Sequence, residues 1–314
     1  MYAKHYFNQR MLLPAIKTCA VMLMLVSGAG LAYCQNDLSE IKVIKPGAAL
    51  HKISGQFTFT EGPAADKTGN IYFTDQPNNK IWKYDTAGKL SVFMDPAGRA
   101  NGMYFDQQGN LIACADEKDE LWSIAPGKKV KVLLKDFNGI RFNGPNDLWI
   151  DKKGGIYFTD PYYQRDYWTR TKPDMKGQYI YYLAKGKKKA VIADSTLVKP
   201  NGIIGEPGGR RLYVADIGDN KTYRYDINPD GSLSNRMLFA PMGSDGMTID
   251  NEGNIYLSGK GVTIFDKEGS RLGNIPVPSN WVGNVCFGGK HHDELFITAS
   301  ESVYVLKMQV HGVR

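Results

Sequence analysis

Seven residues of this 314-residue chain have the types and placement to do chemistry: Glu61, Asn101, Asn146, Asp147, Asn201, Asp245 and Asn284. Each stands just before, or at the start of, a short apolar segment. Two carboxylates, Glu61 and Asp245, with amide oxygens from Asn146 and Asn201, make a hard oxygen donor set. Such a set suits Ca²⁺, Mg²⁺ or Mn²⁺ rather than a thiolate-loving metal. Three or four protein oxygens leave coordination positions open for water and substrate. Asp245 or Asp147 can then take a proton from an attacking water. Asn-Gly, Asp-Gly and Pro-Asn pairs are also ordinary turn chemistry. Glu61 resists that account, because glutamate is not a turn former and a carboxylate near an axis needs a partner.

For residues so far apart in sequence to meet, a repeat must bring them together. The unit is visible in Asn143-Gly-Pro-Asn-Asp147, which runs into Leu-Trp-Ile-Asp151, a Gly-containing turn and Ile156-Tyr-Phe-Thr-Asp160. It reads as a polar loop, a short strand, a tight turn and a second strand. Variants recur, and the second strand ends at Asp75, Asp116, Asp160, Asp216, Ser258 and Thr298, at intervals of 41, 44, 56, 42 and 40 residues. A period near 40 with four short strands per unit is the signature of propeller blades. The expected fold is therefore all-β, a six-bladed β-propeller. Only three strands are readable in the last blade, near Val285, Leu295 and Val303, so its fourth is expected within Ile41 to Ile53. That closure removes an open sheet edge. No window shows sustained helical periodicity, which argues against α/β folds, and the Gly-His and Trp-Asp dipeptides of the WD subtype are missing. The long interval holds an insertion, Pro161 to about Gly177, rich in Tyr, Arg and Lys. In a propeller, the loop entering each innermost strand arrives beside the axis, so all seven residues should line one mouth of the channel.

Residues 1–34 read differently. Lys4, Arg10 and Lys17 precede an apolar run from Cys19 and then small residues, the order of a secretory signal peptide. The run is short for a membrane span. Leu31-Ala-Tyr-Cys34 also resembles a lipoprotein box, which makes a lipid anchor the alternative to simple cleavage. The expected location is periplasmic or extracellular, with residues 35–314 forming the propeller. Removing the leader lowers the formal charge from +7 to +4, with 36 basic against 32 acidic residues. The remaining basic clusters, Lys128-Lys129 and Lys185-Gly-Lys-Lys-Lys189, sit at turns rather than on a continuous basic face with aromatic platforms, so no nucleic-acid partner is expected. Cys114 and Cys286 lie inside apolar strand patterns and are expected to pack as small hydrophobes rather than to bridge.

From Phe57 to Leu306 the chain resembles the gluconolactonase/regucalcin (SMP-30)/LRE-like family of six-bladed propellers. The marks are Phe59-Thr-Glu-Gly-Pro63, Ala100-Asn-Gly102, Asn143-Gly-Pro-Asn-Asp147, Tyr157-Phe-Thr-Asp-Pro161, Pro200-Asn-Gly202, Asp245-Gly-Met247 and Asn284-Val-Cys-Phe-Gly-Gly289, in this order. The resemblance implies one catalytic divalent ion in the channel. Ca²⁺ is expected first, with Mg²⁺, Mn²⁺ or Zn²⁺ as alternatives. Glu61, Asn201 and Asp245 match its ligands, and Asn146 matches a residue approaching the metal or the substrate. Asn143, Asn101, Tyr162 and Arg165 are further candidate substrate contacts. The family often has Ser or Arg near position 144, where this chain has Gly144. Tyr162, Tyr163, Tyr167 and Trp168 of the insertion either wall the pocket or pack over the blade edge.

The expected activity is hydrolysis of sugar-acid lactones, the metal polarising the lactone carbonyl and activating water. The alternative is a non-catalytic propeller that binds a carbohydrate or a protein partner around a structural metal. There is no Gly-x-Ser-x-Gly elbow, no His-Glu-x-x-His pair and no Gly-rich phosphate loop. His291-His292 is expected in a surface loop on the face opposite the mouth.

Overall fold

The computed structural model describes residues 38–313; the leader and the lipoprotein box lie outside the described residues. Apart from a single 3₁₀ turn at Leu38–Glu40, the regular structure is all strand, in six four-stranded antiparallel sheets. Blade one is Thr60–Ala65, Ile71–Asp75, Lys80–Tyr84 and Leu90–Met94. Blade two is Ala100–Phe105, Leu111–Ala115, Glu120–Ile124 and Val130–Leu134. Blade three is Leu148–Ile150, Ile156–Asp160, Tyr179–Leu183 and Val191–Asp194. Blade four is Pro200–Gly205, Arg211–Asp216, Lys221–Ile227 and Leu233–Ala240. Blade five is Met247–Ile249, Ile255–Gly259, Gly261–Phe265 and Arg271–Ile275. Blade six takes Asn284–Gly288, Glu294–Ala299 and Ser302–Lys307 and is completed by His51–Ser54. The closing strand thus begins inside the expected window and runs one residue past it, His51 pairing with Val305.

The innermost strands touch one another in ring order, the sixth returning to the first. The second strands, such as Ile71–Asp75 and Ile156–Asp160, are buried along their whole length because blades pack on both faces. The fourth strands, such as Val191–Asp194, are exposed or half-buried along most of their length. Bulky aromatics fill the wedges between blades, with Tyr157, Tyr181, Tyr213 and Tyr256 all fully buried. Each such side chain contributes on the order of 2 kcal/mol by leaving water. Cys114 and Cys286 are free and buried within these layers. Among the described residues no helix is long and apolar enough to cross a membrane.

Two features of the repeat aim side chains at the axis. In blades one, two and four the pairing of the innermost strand slips just where Glu61-Gly62, Asn101-Gly102 and Asn201-Gly202 stand. A bulge of this kind re-aims the side chain beside it. Gly62 is required there: its φ is +48°, and a Cβ would collide with the Asn101 carbonyl. The second feature is a hydroxyl near the end of a second strand. Thr74 Oγ1 donates to Asn101 O at 3.4 Å and Thr159 Oγ1 to Asn201 O at 2.8 Å, while Ser258 Oγ donates to Gly283 O at 2.7 Å. Each bond ties one blade to the start of the next.

Candidate active site

Glu61, Asn201 and Asp245 lie at one end of the channel, as the repeat requires. Asn201 Nδ2 donates to Asp245 Oδ1 at 2.8 Å and to the Tyr163 hydroxyl at 2.9 Å. Trp281 Nε1 donates to the other Asp245 oxygen at 2.6 Å. With its nitrogen held on two sides, Asn201 turns Oδ1 inward, where that atom is buried with no partner. A buried carbonyl oxygen without a donor is costly unless something positive faces it. Glu61, only 5% exposed, accepts from the Gly62 amide at 2.8 Å.

The charges repel one another. Burial, with the nearby carboxylates of Asp245 and Asp147 adding to it, raises the Glu61 carboxyl well above the usual range. Burial pushes Asp245 up to about 6 and Asp147 up to about 7. Two buried, mutually repelling acids, Glu61 and Asp245, beside an amide oxygen with no donor would suit a divalent cation, which would satisfy the oxygen and offset the repulsion. No group of three His, Cys, Asp or Glu side chains is arranged to hold a metal among the described residues, so a centre here must draw on amide oxygen as well as carboxylate. That is the donor mix Glu61, Asn201 and Asp245 supply.

Asn146 and Asn101 stand in the same ring. Asn146 is held by its backbone, its N–H donating to Thr159 O at 2.9 Å and its C=O accepting from Gly102 at 2.7 Å. Neither Asn146 nor Asn101 has a hydrogen-bond partner for its side chain among the described residues, so both amides are available to a ligand. Asp147 lies deeper: Oδ1 accepts from the Leu148 amide at 2.9 Å and Oδ2 from Asn284 Nδ2 at 3.3 Å. Below it, on the far side of Asp147 and Asn284, is a cavity of about 230 Å³ lined by residues such as Met103, Trp149, Ile203 and Val285. This cavity is the lower channel, not the mouth. His292 borders it and is buried, so the His291-His292 loop is on the expected face but only partly a surface feature.

The insertion folds back over the mouth of blades two and three. Arg165 Nε donates to Asp116 Oδ2 at 2.8 Å, Gln76 Nε2 donates to the same oxygen at 3.1 Å, and the Tyr167 hydroxyl bonds it too. Arg170 pairs with Asp119 at 2.8 Å and bonds the Asn143 carbonyl. Trp168 and Asp116 occupy the space above Gly144: a Cβ there would meet Asp116 Oδ1 at 2.6 Å and the Trp168 ring at 3.0 Å. The glycine at 144 is thus the counterpart of the tryptophan at 168.

Two expected substrate contacts are placed elsewhere. Asn143 is fully buried and its amide donates to Asp160 O at 3.0 Å and Gly177 O at 2.9 Å, so it braces the root of the insertion. Tyr162 is engaged within the insertion, its hydroxyl on Gln164 and its backbone N–H on Gln178 Oε1 at 2.7 Å. Trp281, Asp116 and Gln76 are site neighbours that the sequence reading passed over. Asp116 carried a signal, being an acid at the end of a second strand; Trp281 and Gln76 carried none in their spacing.

Fold and mouth together define a six-bladed propeller with an acid–amide centre at one end of its axis. The chain belongs to the SMP-30/gluconolactonase/LRE-like family, whose model matches residues 59–301. The gluconolactonase of Zymomonas mobilis is 28% identical over 301 residues, covering 86% of this chain and 84% of that one. The pentonolactonase of Haloferax volcanii is 33% identical over 240 residues, covering 73% and 77%. Among solved structures, a gluconolactonase from Xanthomonas campestris superimposes with a TM-score of 0.79 at 26% identity, over 85% of this chain and 91% of that one.

Proposed function

We propose that this protein is a metal-dependent lactonase, hydrolysing lactones of sugar acids, and that it works outside the cytoplasm as its basic-then-apolar leader suggests. The observation that carries the reading is the group made by two mutually repelling buried acids, Glu61 and Asp245, and by Asn201, whose Nδ2 bonds Asp245 while its Oδ1 is buried without a partner. The names of the relatives, gluconolactonase and pentonolactonase, support lactones as the substrate class.

Glu61, Asn201 and Asp245 would hold the ion, with Asn146 beside it. A bound divalent ion supplies Lewis acidity toward a carbonyl and a lowered pKa for water. The protein's residues do the rest. Both Asp245 oxygens accept hydrogen bonds, from Asn201 and Trp281, which fixes that carboxylate as a ligand. Asp147 is the better proton acceptor, because burial brings it to about 7, near the working range of a general base. Water adds to the lactone carbonyl carbon, its proton passes to Asp147, and Asp147 returns that proton to the ring oxygen as the ring C–O bond breaks. The product is an open hydroxy acid, whose new carboxyl group ionises with net release of one proton. The free amides of Asn101 and Asn146 orient substrate oxygens.

The test is a pH-stat screen of aldonolactones, with and without chelator, on the wild type and Glu61→Ala. Chelation should abolish turnover, and added Ca²⁺ should restore it. Glu61→Ala should lose metal binding by calorimetry while still unfolding cooperatively. Undiminished hydrolysis after thorough removal of divalent ions, or full metal affinity in Glu61→Ala, would sink the reading.

A further inference from the structure

Tyr163 reaches the acid–amide group at the mouth, its hydroxyl accepting from Asn201 Nδ2 at 2.9 Å. Two cations sit over its ring. Lys199 Nζ is 4.2 Å from the ring centroid and the Arg165 guanidinium carbon is 5.6 Å away. Neither is placed by chance. The Lys199 backbone N–H donates to Asp216 Oδ1 at 2.8 Å, which clips the loop entering blade four, and Arg165 is fixed through Nε by buried Asp116. The two differ in how much charge they keep. Arg165 is partly neutralised by Asp116, but its terminal nitrogens have no hydrogen-bond partner among the described residues. Lys199 has no carboxylate partner at all among the described residues.

A neighbouring cation shows the contrast. Arg99 stacks on Tyr167 at 4.3 Å, yet its Nη1 donates to Pro77 O at 2.7 Å and its Nε lies 3.9 Å from Glu117. Arg99 is therefore engaged by the protein and Lys199 is not. An aromatic face holds an ammonium without cancelling its charge, whereas a carboxylate would cancel it. The arrangement keeps a positive charge in place and available, one phenol ring away from the proposed metal ligand Asn201. A neutral sugar lactone gives such a charge nothing to pair with.

We propose that Lys199 and Arg165, mounted on Tyr163, form an anion clamp, and that the preferred substrate is a lactone bearing a second acidic group remote from the reacting carbonyl. The inference rests on the lactonase reading for its chemistry and adds the charge of the substrate. The acidic group is a carboxylate or a phosphate; both present oxygens to an ammonium and a guanidinium.

The experiment uses the full chain loaded with Ca²⁺. Hydrolysis of D-glucono-1,5-lactone, which is neutral, is compared with that of D-glucaro-1,4-lactone and 6-phospho-D-glucono-1,5-lactone. In parallel, calorimetry compares binding of D-glucarate with D-gluconate. At low salt kcat/KM should favour an anionic lactone by about tenfold, and the preference should shrink as salt screens the clamp. The better of the two anionic lactones identifies carboxylate or phosphate. Lys199→Met, which keeps the stem and removes the charge, should lower the anionic-to-neutral ratio about tenfold and abolish the preference for glucarate over gluconate. Lys199→Gln guards against a packing effect and should do the same. A ratio at or below one in the wild type, or equal losses on neutral and anionic substrates in both variants, overturns the clamp while the lactonase reading stands. If no lactone is turned over, the lactonase reading fails, and the diacid-against-monoacid calorimetry still decides whether the clamp exists.

Discussion

Asp116 and Asp160 stand at the same point of neighbouring blades, each at the end of a second strand, and they do different work. Asp160 accepts from the backbone N–H groups of Asn143 and Gly144, at 3.0 and 2.9 Å, and so clips the loop that opens its own blade. Asp75 does the same for Thr58 and Phe59, and Asp216 for Val198 and Lys199. Ser258 and Thr298 take one amide each with a hydroxyl. In blade two that duty has passed to Asn79, whose Oδ1 accepts from Ala97 and Arg99. Asp116 is thereby released, and its carboxylate holds Gln76, Arg165 and Tyr167 instead. One position of the repeat has been freed from scaffolding and turned toward the insertion, which points to the place where a propeller acquires an individual function.

Substitutions should separate the two kinds of aspartate. The largest effect is expected at Asp160→Ala, which strands two buried amide donors at once. The loss should be about 3 kcal/mol or more in urea unfolding, with Asp216→Ala close behind. A loss under about 1 kcal/mol would contradict the scaffolding role. Next comes Tyr163→Phe, which frees the Asn201 amide from the insertion. Calcium affinity should fall about tenfold with the unfolding midpoint unmoved, and unchanged affinity would cut the link between insertion and metal ligands. For Asp116→Asn the expectation is reversed relative to Asp160: stability within about 1 kcal/mol of wild type, but KM raised about fivefold and faster proteolysis within 161–178, because Arg165 and Tyr167 lose their anchor. If it instead unfolds like Asp160→Ala, the two positions are equivalent after all. The smallest change belongs to Tyr167→Phe, about twofold in KM, since Arg165 and Gln76 remain on Asp116.

The fold was legible because a propeller repeats its own evidence. Six second strands ending in Asp, Ser or Thr, with turns between short apolar runs, left one architecture, and the blade boundaries at Glu61, Asn146, Asn201 and Asp245 were readable to within two residues. Glu61, Asn201 and Asp245 were legible as a group for the same reason: each stands at, or just before, the start of an innermost strand. What escaped was whatever the repeat does not dictate. Asn143 looked like a pocket residue because it opens the polar loop, but the preceding loop position faces the blade, so its amide meets the carbonyls of Asp160 and Gly177. Tyr162 and Arg165 lie three residues apart in a segment without periodicity, and only the second reaches a blade other than its own. Trp281 comes to Asp245 from the loop between blades five and six, where no pattern distinguishes it from any other aromatic.

Closure of the sixth blade sets the order in which this molecule can be built. His51 pairs with Val305, 254 positions later, so the first strand made must wait for the last one before it finds a neighbour. Until then blades one and six leave their flanks uncovered, and a chain synthesised from its N-terminus carries sticky β edges through most of its production. Sealing the ring is therefore the slow, late event of assembly. The mouth cannot take its final form before then, because Thr60 at the entry to Glu61 is held by the carbonyls of Ser300 and Ser302 from that last blade.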